Sequence, residues 1–473
     1  VHDKKLIMDI PRILLLLPSH TYRTADFLTA ASALGIEVVV GCERRPALAS
    51  LMEGRYLRLR FADVEQSVAR IVEFAAGWPL RAVVAVDDAG TMVAAAASAA
   101  LGLPHNAVAA VAASRDKERS RELFRAAGLP TPRFASYAAD VNLAGASSER
   151  HQTKLTANMA PIPSASSSAT SAGARGDQPD GSAWWRAPPQ AAALAWSRYP
   201  CVLKPLDLSG SRGVIRADDS DSFVEAFRRV SALVSSPEVC APHAAPQRIL
   251  VEDFIPGLEV AVEGLLRAGR LELLAIFDKP DPLDGPYFEE TIYVTPSRLP
   301  AGSQEHIREA VRRATTALGL TEGPIHAELR LKDGRTTVLE VAARSIGGLC
   351  ARTLRFGAGV SLEELIVAHA AGLEIASVER ERSAAGVMML PIPRAGILEA
   401  VGGQQAARAV PGIIGLKVTI PLGSPVVPLP EGDRYLGFLF ARGERPEEVE
   451  DALRHAHALL EVRMARERME AVL

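Results

Sequence analysis

The chain has 473 residues, 48% of them apolar, and a formal net charge of −3. That length allows two to four domains or subdomains with a sizeable core, and the near-neutral balance leaves no electrostatic footprint for nucleic acid or an anionic membrane. Cys42, Cys201, Cys240 and Cys350 form no CxxC pair and show no metal-ligand spacing, which reads as single thiols in a reducing cytoplasm.

In chain order, residues 12–17 form an apolar run ended by Pro18, too short to span a bilayer and expected as a buried strand. A helix over 24–34 and a strand over 36–40 follow. A third strand over 82–86 runs into Asp87-Asp88, with a helix over 91–101 behind it. Strands alternating with helices predict a parallel α/β unit covered on both faces. It lacks GxGxxG, so a dinucleotide site is not expected. Residues 116–128 read as an amphipathic helix ended by Gly128, Pro130 and Pro132.

Residues 141–192 change character. They are rich in Ser, Ala, Gly, Pro and Thr, too poor in large apolar groups to offset ordering entropy, and are expected to be a disordered insertion in which Trp184 and Trp185 can dock on the core. Beyond it come strands over 201–204 and 249–254, separated by a Pro/Ala loop over 235–246. Two hairpins turn at Ala268-Gly269 and Asp333-Gly334. Helices are expected over 306–318 and 361–371, and a final one over 446–472.

Three signals carry chemistry. In residues 201–214, CVLKPLDLSGSRGV, Lys204 ends an apolar strand before Ser209, Gly210, Ser211 and Gly213. Small residues let backbone N–H groups approach an anion, and the lysine adds a point charge. Alone, this also reads as a surface turn beside a snorkelling lysine. In residues 251–264, VEDFIPGLEVAVEG, a strand ends at Glu252, bends at Ile255-Pro256-Gly257 and resumes at Glu259. Such a bend can meet an adenine edge and a ribose, or be an edge strand with two solvated glutamates. Third, Glu328 and Glu340 lie on facing strands, with Arg344 four residues further on. Two carboxylates suit Mg²⁺ and a guanidinium suits phosphate, although a structural Glu–Arg pair is the plainer alternative.

The order of these signals is more specific than any one of them, and it resembles the ATP-grasp superfamily over nearly the whole chain outside the insertion. The resemblance implies a mixed α/β and α+β fold: an N-terminal Rossmann-like pre-ATP-grasp domain (1–112), an ATP-grasp domain (113–140 and 193–380), the insertion (141–192) and a C-terminal lid subdomain (381–473). It implies ATP held by Lys117, Lys204, the loop Ser209, Gly210, Ser211 and Gly213, the hinge Glu252 and Ile255, and the ribose-binding Glu259. It implies Mg²⁺, with Mn²⁺ as substitute, on Glu328 and Glu340. FDKPDPLDGPYFEETIYVTPSRLP and EVAARSIGGLCARTLRFG look like the bacterial L-amino acid ligase branch, as does the tail from MLPIPRAGILEAV. That branch implies carboxylate–amine ligation through an acyl phosphate, with Arg344 and Lys204 catalytic and Lys279, Glu289, Glu290, His326 and Arg352 around the acceptor. The thiols and the absence of a long apolar run give the expectation of a cytoplasmic enzyme, and the resemblance that of a homodimer, as related ligases often are. One departure is Ala342, where many relatives carry a third metal ligand, an asparagine; it bears on the number of bound ions. The alternatives are a thiol or carboxylase-like acceptor chemistry, or a nucleotide-binding module without catalysis.

Overall fold

The computed structural model describes residues 11–19, 21–44, 55–139, 189–239 and 247–465. The predicted insertion up to residue 188, with Trp184 and Trp185, Cys240, and the end of the expected last helix beyond 465 lie outside the described residues.

The N-terminal unit runs β1 (Arg12–Leu16), α1 (Thr24–Ala33), β2 (Glu37–Cys42), β3 (Tyr56–Arg58), α2 (Val64–Gly77), β4 (Ala82–Ala85) and α3 (Asp88–Leu101). Its sheet has the order β3-β2-β1-β4, and every neighbouring pair is parallel. Burial on both faces explains the unbroken apolar runs. Ile13 and Leu15 pack with Phe27 of α1, whereas Leu14 and Leu16 pack with Ile71 of α2 and Val93 of α3. Helices α4 (Val108–Arg115) and α5 (Lys117–Ala126) lead out of this unit.

A small lobe follows: β5 (Phe134–Ala138), α6 (Pro189–Trp196), β6 (Cys201–Pro205), β7 (Ile215–Ala217), α7 (Ser220–Val234) and β8 (Arg248–Asp253), with sheet order β5-β8-β6-β7. The predicted disorder therefore ends too late: 189–192 are the first turn of α6, whose Ala192, Ala193 and Trp196 are buried. Helix α7 was legible and missed. Phe223, Ala226, Phe227, Val230, Leu233 and Val234 recur at helical spacing behind a capping box on Asp219.

The main sheet is built from β9 (Leu258–Arg267), β10 (Arg270–Asp278), β11 (Ile292–Thr295), β12 (Gly323–Lys332) and β13 (Arg335–Ala342), backed by α8 (Ala301–Leu318). A 3₁₀ turn (Cys350–Thr353), the short ribbon β14 (Arg355–Phe356) and β15 (Val360–Ser361), and α9 (Leu362–Ala371) come next. Then follow β16 (Ala384–Leu390), β17 (Gly396–Gly402), α10 (Gln404–Ala409), β18 (Ile413–Val418), β19 (Pro425–Val426), β20 (Gly437–Gly443), α11 (Pro446–Ala458) and β21 (Glu461–Ala465). The eight-stranded order β13-β12-β9-β10-β11-β16-β20-β18 carries the sheet across residue 381. The last helix stops at Ala458, not at 472, because Glu461–Ala465 pairs as a strand with β17.

Candidate active site

The small lobe and the main sheet face each other across a cavity of about 510 Å³, with the ends of β1 and β4 forming a further wall. Lys204 projects from β6 and pairs with Glu252 on the neighbouring β8. Arg121 of α5, itself buried, bonds the same carboxylate at 3.0 Å. Burial opposes charge on Glu252, but the two cations outweigh it and hold the acid down at about 2. The Glu252 carboxylate thus neutralises buried cations, so what this stretch can offer an adenine is backbone. Arg121 gave no sequence signal, because a charged helix position looks the same whether solvated or buried.

After β6 the chain turns through Gly210 and Ser211, with φ of 65° and 56°. Ser209, Gly210 and Ser211 line the cavity. Gly213 instead lies behind them: its N–H donates to Pro430 O at 2.7 Å, and a Cβ there would meet Pro205 at 2.7 Å. Lys117, at the start of α5, donates to Leu208 O at 2.7 Å and lies 3.5 Å from Glu340. Both predicted lysines and the loop therefore share one wall. Ile255 lines the cavity at the bend into β9, and Gly257 beyond it has φ 119° with Leu331 O 2.2 Å from where a Cβ would sit.

The metal reading requires Glu328 and Glu340 on one face. A two-residue turn at Asp333-Gly334 pairs Lys332 with Arg335, and carried on unbroken would set Glu328 opposite Leu339. The ladder instead shifts between Leu329 and Glu328, so Glu328 pairs with Glu340. Leu339 is the extra residue of a β-bulge, and both it and Glu340 meet the cavity. The turn is the simple one, with φ 50° at Asp333 and 73° at Gly334, rather than the three-residue loop that would also achieve this register.

Glu259, Glu290 and Glu328 bring oxygens within 4.8 Å of one another, an arrangement that resembles a metal cluster. Lys279 stands among them, however, 2.8 Å from Glu259, 2.7 Å from Glu290 and 3.2 Å from Glu328. Glu259 is also bonded by Arg330 at 2.8 Å. Burial opposes ionisation of Glu328, but Lys279 and His326 hold it well below the usual carboxylate range. Glu290 goes the other way, pushed up to about 7 by burial and by the Glu328 charge against the pull of Lys279. His326 bonds Glu263 at 2.5 Å and lies 3.7 Å from Glu328; these partners overcome its burial and raise it to about 9. The ammonium already fills the trio; Glu328, its most distant partner at 3.2 Å, and Glu340, 3.5 Å from Lys117, both line the cavity, and their hard oxygens would suit a divalent cation sharing phosphate and water ligands.

Arg344 lines the cavity but is bonded to Asp88 at 2.8 Å, a partner contributed by the N-terminal unit. Among the acceptor candidates, Glu290 and His326 line the cavity. Lys279 lies behind that wall, and Glu289 is absent from the lining. Arg352 is elsewhere: it grips Asp26 at 2.8 and 2.9 Å beside a separate cleft. Sequence reasoning missed Arg23, Asp87 and Asp88 because their elements are distant in the chain, and Tyr22, Tyr293 and Tyr435 because isolated tyrosines carry no motif.

Three sequence families match. The ATP-grasp domain matches residues 197–353, the ATP-grasp N-terminal domain 28–105, and the L-amino acid ligase C-terminal domain 2 residues 388–465. An alanine–anticapsin ligase of Bacillus subtilis is 28% identical over 189 residues, covering 37% of this chain and 39% of the relative. The chain thus spans about two fifths of that relative's length. A D-alanine–D-alanine ligase of Gloeobacter violaceus is 29% identical over 279 residues, covering 56% of this chain and 72% of the relative. The crystal structure of an L-amino acid ligase from Bacillus licheniformis superposes with a TM-score of 0.71 at 24% identity, over 96% of this chain and 99% of that one. No helix among the described residues is long and apolar enough to cross a membrane. The chain thus carries matches to an ATP-grasp domain, to its N-terminal companion and to the C-terminal domain of L-amino acid ligases, and is similar to the ATP-grasp ligases.

Proposed function

We propose that the protein is an ATP-dependent carboxylate–amine ligase that activates an acid as its acyl phosphate and joins it to an amine, with an amino acid among its substrates. The single observation that supports this most is the bulged register that sets Glu328 opposite Glu340, in one cavity with Lys117, 3.5 Å from Glu340, and Lys204.

ATP lies between the lobes with its phosphates against Lys117, Lys204 and the Ser209–Ser211 turn, and its adenine at the Ile255 bend beside Leu339. Glu328 and Glu340 would hold Mg²⁺, which would supply charge neutralisation for the phosphates. An oxygen of the substrate carboxylate attacks the γ-phosphorus, and the bond to ADP breaks. The lysines stabilise the charge that shifts onto the leaving phosphates, so positioning and electrostatics do the chemistry without a covalent protein nucleophile. Arg344 is held rigid by Asp88 and steadies the phosphoryl oxygens of the acyl phosphate. The amine, having given its ammonium proton to solvent, attacks the acyl carbon through nitrogen, and inorganic phosphate leaves with the second nitrogen proton.

The test is a pairwise matrix of amino acids, read by phosphate release and by product mass. Release of ADP that requires Mg²⁺, a carboxylate and an amine together, with an amide product, is the expected result. ATP binding without turnover for every pair would overturn the ligase reading.

A further inference from the structure

The order in which strands are added to the N-terminal sheet reverses between β1 and β4: α1 leaves β1 on one face and α3 leaves β4 on the other. In open parallel sheets, ligands bind beyond the carboxyl ends of strands at such a switch point. Here that crevice opens into the cavity, and its lips are Tyr22 and Arg23 after β1 and Asp87 and Asp88 after β4.

The segment carrying Asp87 is braced on both sides. Arg23, 1% exposed, donates to Val86 O at 3.2 Å and pairs with Glu363 at 3.1 Å. Arg344 holds the Asp88 carboxylate at 2.8 Å, and Arg115 donates to Asp88 O. Asp87 itself is the N-cap residue of α3, a position where an aspartate normally accepts a helix N–H. Its side chain makes no capping bond, and no described residue bonds or pairs with its carboxylate. Two arginines thus fix the backbone on either side of Asp87 and a third holds the neighbouring Asp88 carboxylate, while the Asp87 carboxylate lines the cavity and accepts no hydrogen bond from a described residue.

We propose that Asp87 is a specificity-determining residue that recognises the ammonium group of the amine substrate, in a subsite formed by the switch-point crevice. This rests on the ligase reading. The charge of Asp87 acts on Arg344, so a cation seated there lies beside the group assigned to the acyl phosphate. The wall next to it is aromatic: Tyr22 and Tyr435 both line the cavity and pack edge-on against Phe438, at 5.5 and 6.1 Å. An amine with an extended or aromatic side chain fits that wall.

The test is equilibrium binding of the twenty L-amino acids to the full chain with Mg²⁺ and a non-hydrolysable ATP analogue. The best binder is then compared with its 2-hydroxy-acid analogue. Wild type is expected to prefer the amino acid at least 10-fold, Asp87→Asn to lose that preference at an unchanged melting temperature, and Asp87→Glu to recover part of it. In turnover, Asp87→Asn raises KM for the amine at least 10-fold, with KM for ATP and kcat within twofold. Amide formation with an unchanged amine KM would overturn the subsite and leave the ligase reading intact. Ammonium selectivity lost in Asp87→Asn without any amide formation would support the subsite and overturn the ligase reading. Failure of every L-amino acid to bind overturns the subsite.

Discussion

The two sides of the cleft each set a lysine against glutamate, and they balance charge in opposite directions. On the small lobe, one carboxylate, Glu252, faces two cations, Lys204 and Arg121. On the main sheet, three carboxylates surround one ammonium, Lys279, and only Glu259 has a further arginine, Arg330. One wall is left with spare positive charge and the other with spare negative charge. A polyphosphate suits the first and a divalent cation the second, since each would compensate the charge of a desolvated wall.

Removing a counter-ion tests that contrast most severely on the main sheet. Lys279→Met leaves three buried carboxylates without their shared partner, and the expected loss of stability is about 3–5 kcal/mol. Chemical denaturation with and without Mn²⁺ checks it. If the trio is metal-like in geometry but closed by Lys279, Mn²⁺ restores part of the loss in the variant and adds much less to wild type. Equal effects of Mn²⁺ on both proteins would show that the ammonium is not standing in a cation site.

On the small lobe, Lys204→Met removes the spare cation while Arg121 still accompanies Glu252. ADP formation is expected to fall about 10²–10³-fold, the scale for losing one preorganised group from a charge-stabilising site. The far-ultraviolet circular dichroism should remain that of wild type. Turnover at the normal rate would remove Lys204 from the phosphate site.

The smallest effect is a pH signature. Glu252 is lowered from 4.5 to about 2 in the folded protein, so its contribution is complete above about pH 4.5 and is lost as pH falls toward 2. The shift corresponds to on the order of 3 kcal/mol. Unfolding free energies of wild type and Glu252→Gln should therefore converge across that window. A gap that stays constant down to pH 2 would mean that Glu252 is not held ionised by Lys204 and Arg121.

The sequence by itself determined which residues are candidates for phosphate and metal chemistry, because that information is local. Lys204 precedes its glycine-rich turn, and Glu328 and Glu340 flank a two-residue turn within one hairpin. The alternating apolar runs of the N-terminal unit were legible for the same reason, as each strand buries both faces. Only the tertiary structure decided the partners. The bulge at Leu339 is one unpaired residue in a ladder, and a period-two pattern does not reveal where such a shift falls. Lys279 reads as a pocket lysine in the chain, yet the antiparallel pairing of β9 with β10 and β12 turns it into the counter-ion of three glutamates. Arg344 and Asp88 are 256 residues apart, and Arg121 and Glu252 are 131 apart. Desolvation makes such charges seek partners, but which partners they meet depends on how the sheets pack, and no local spacing encodes that.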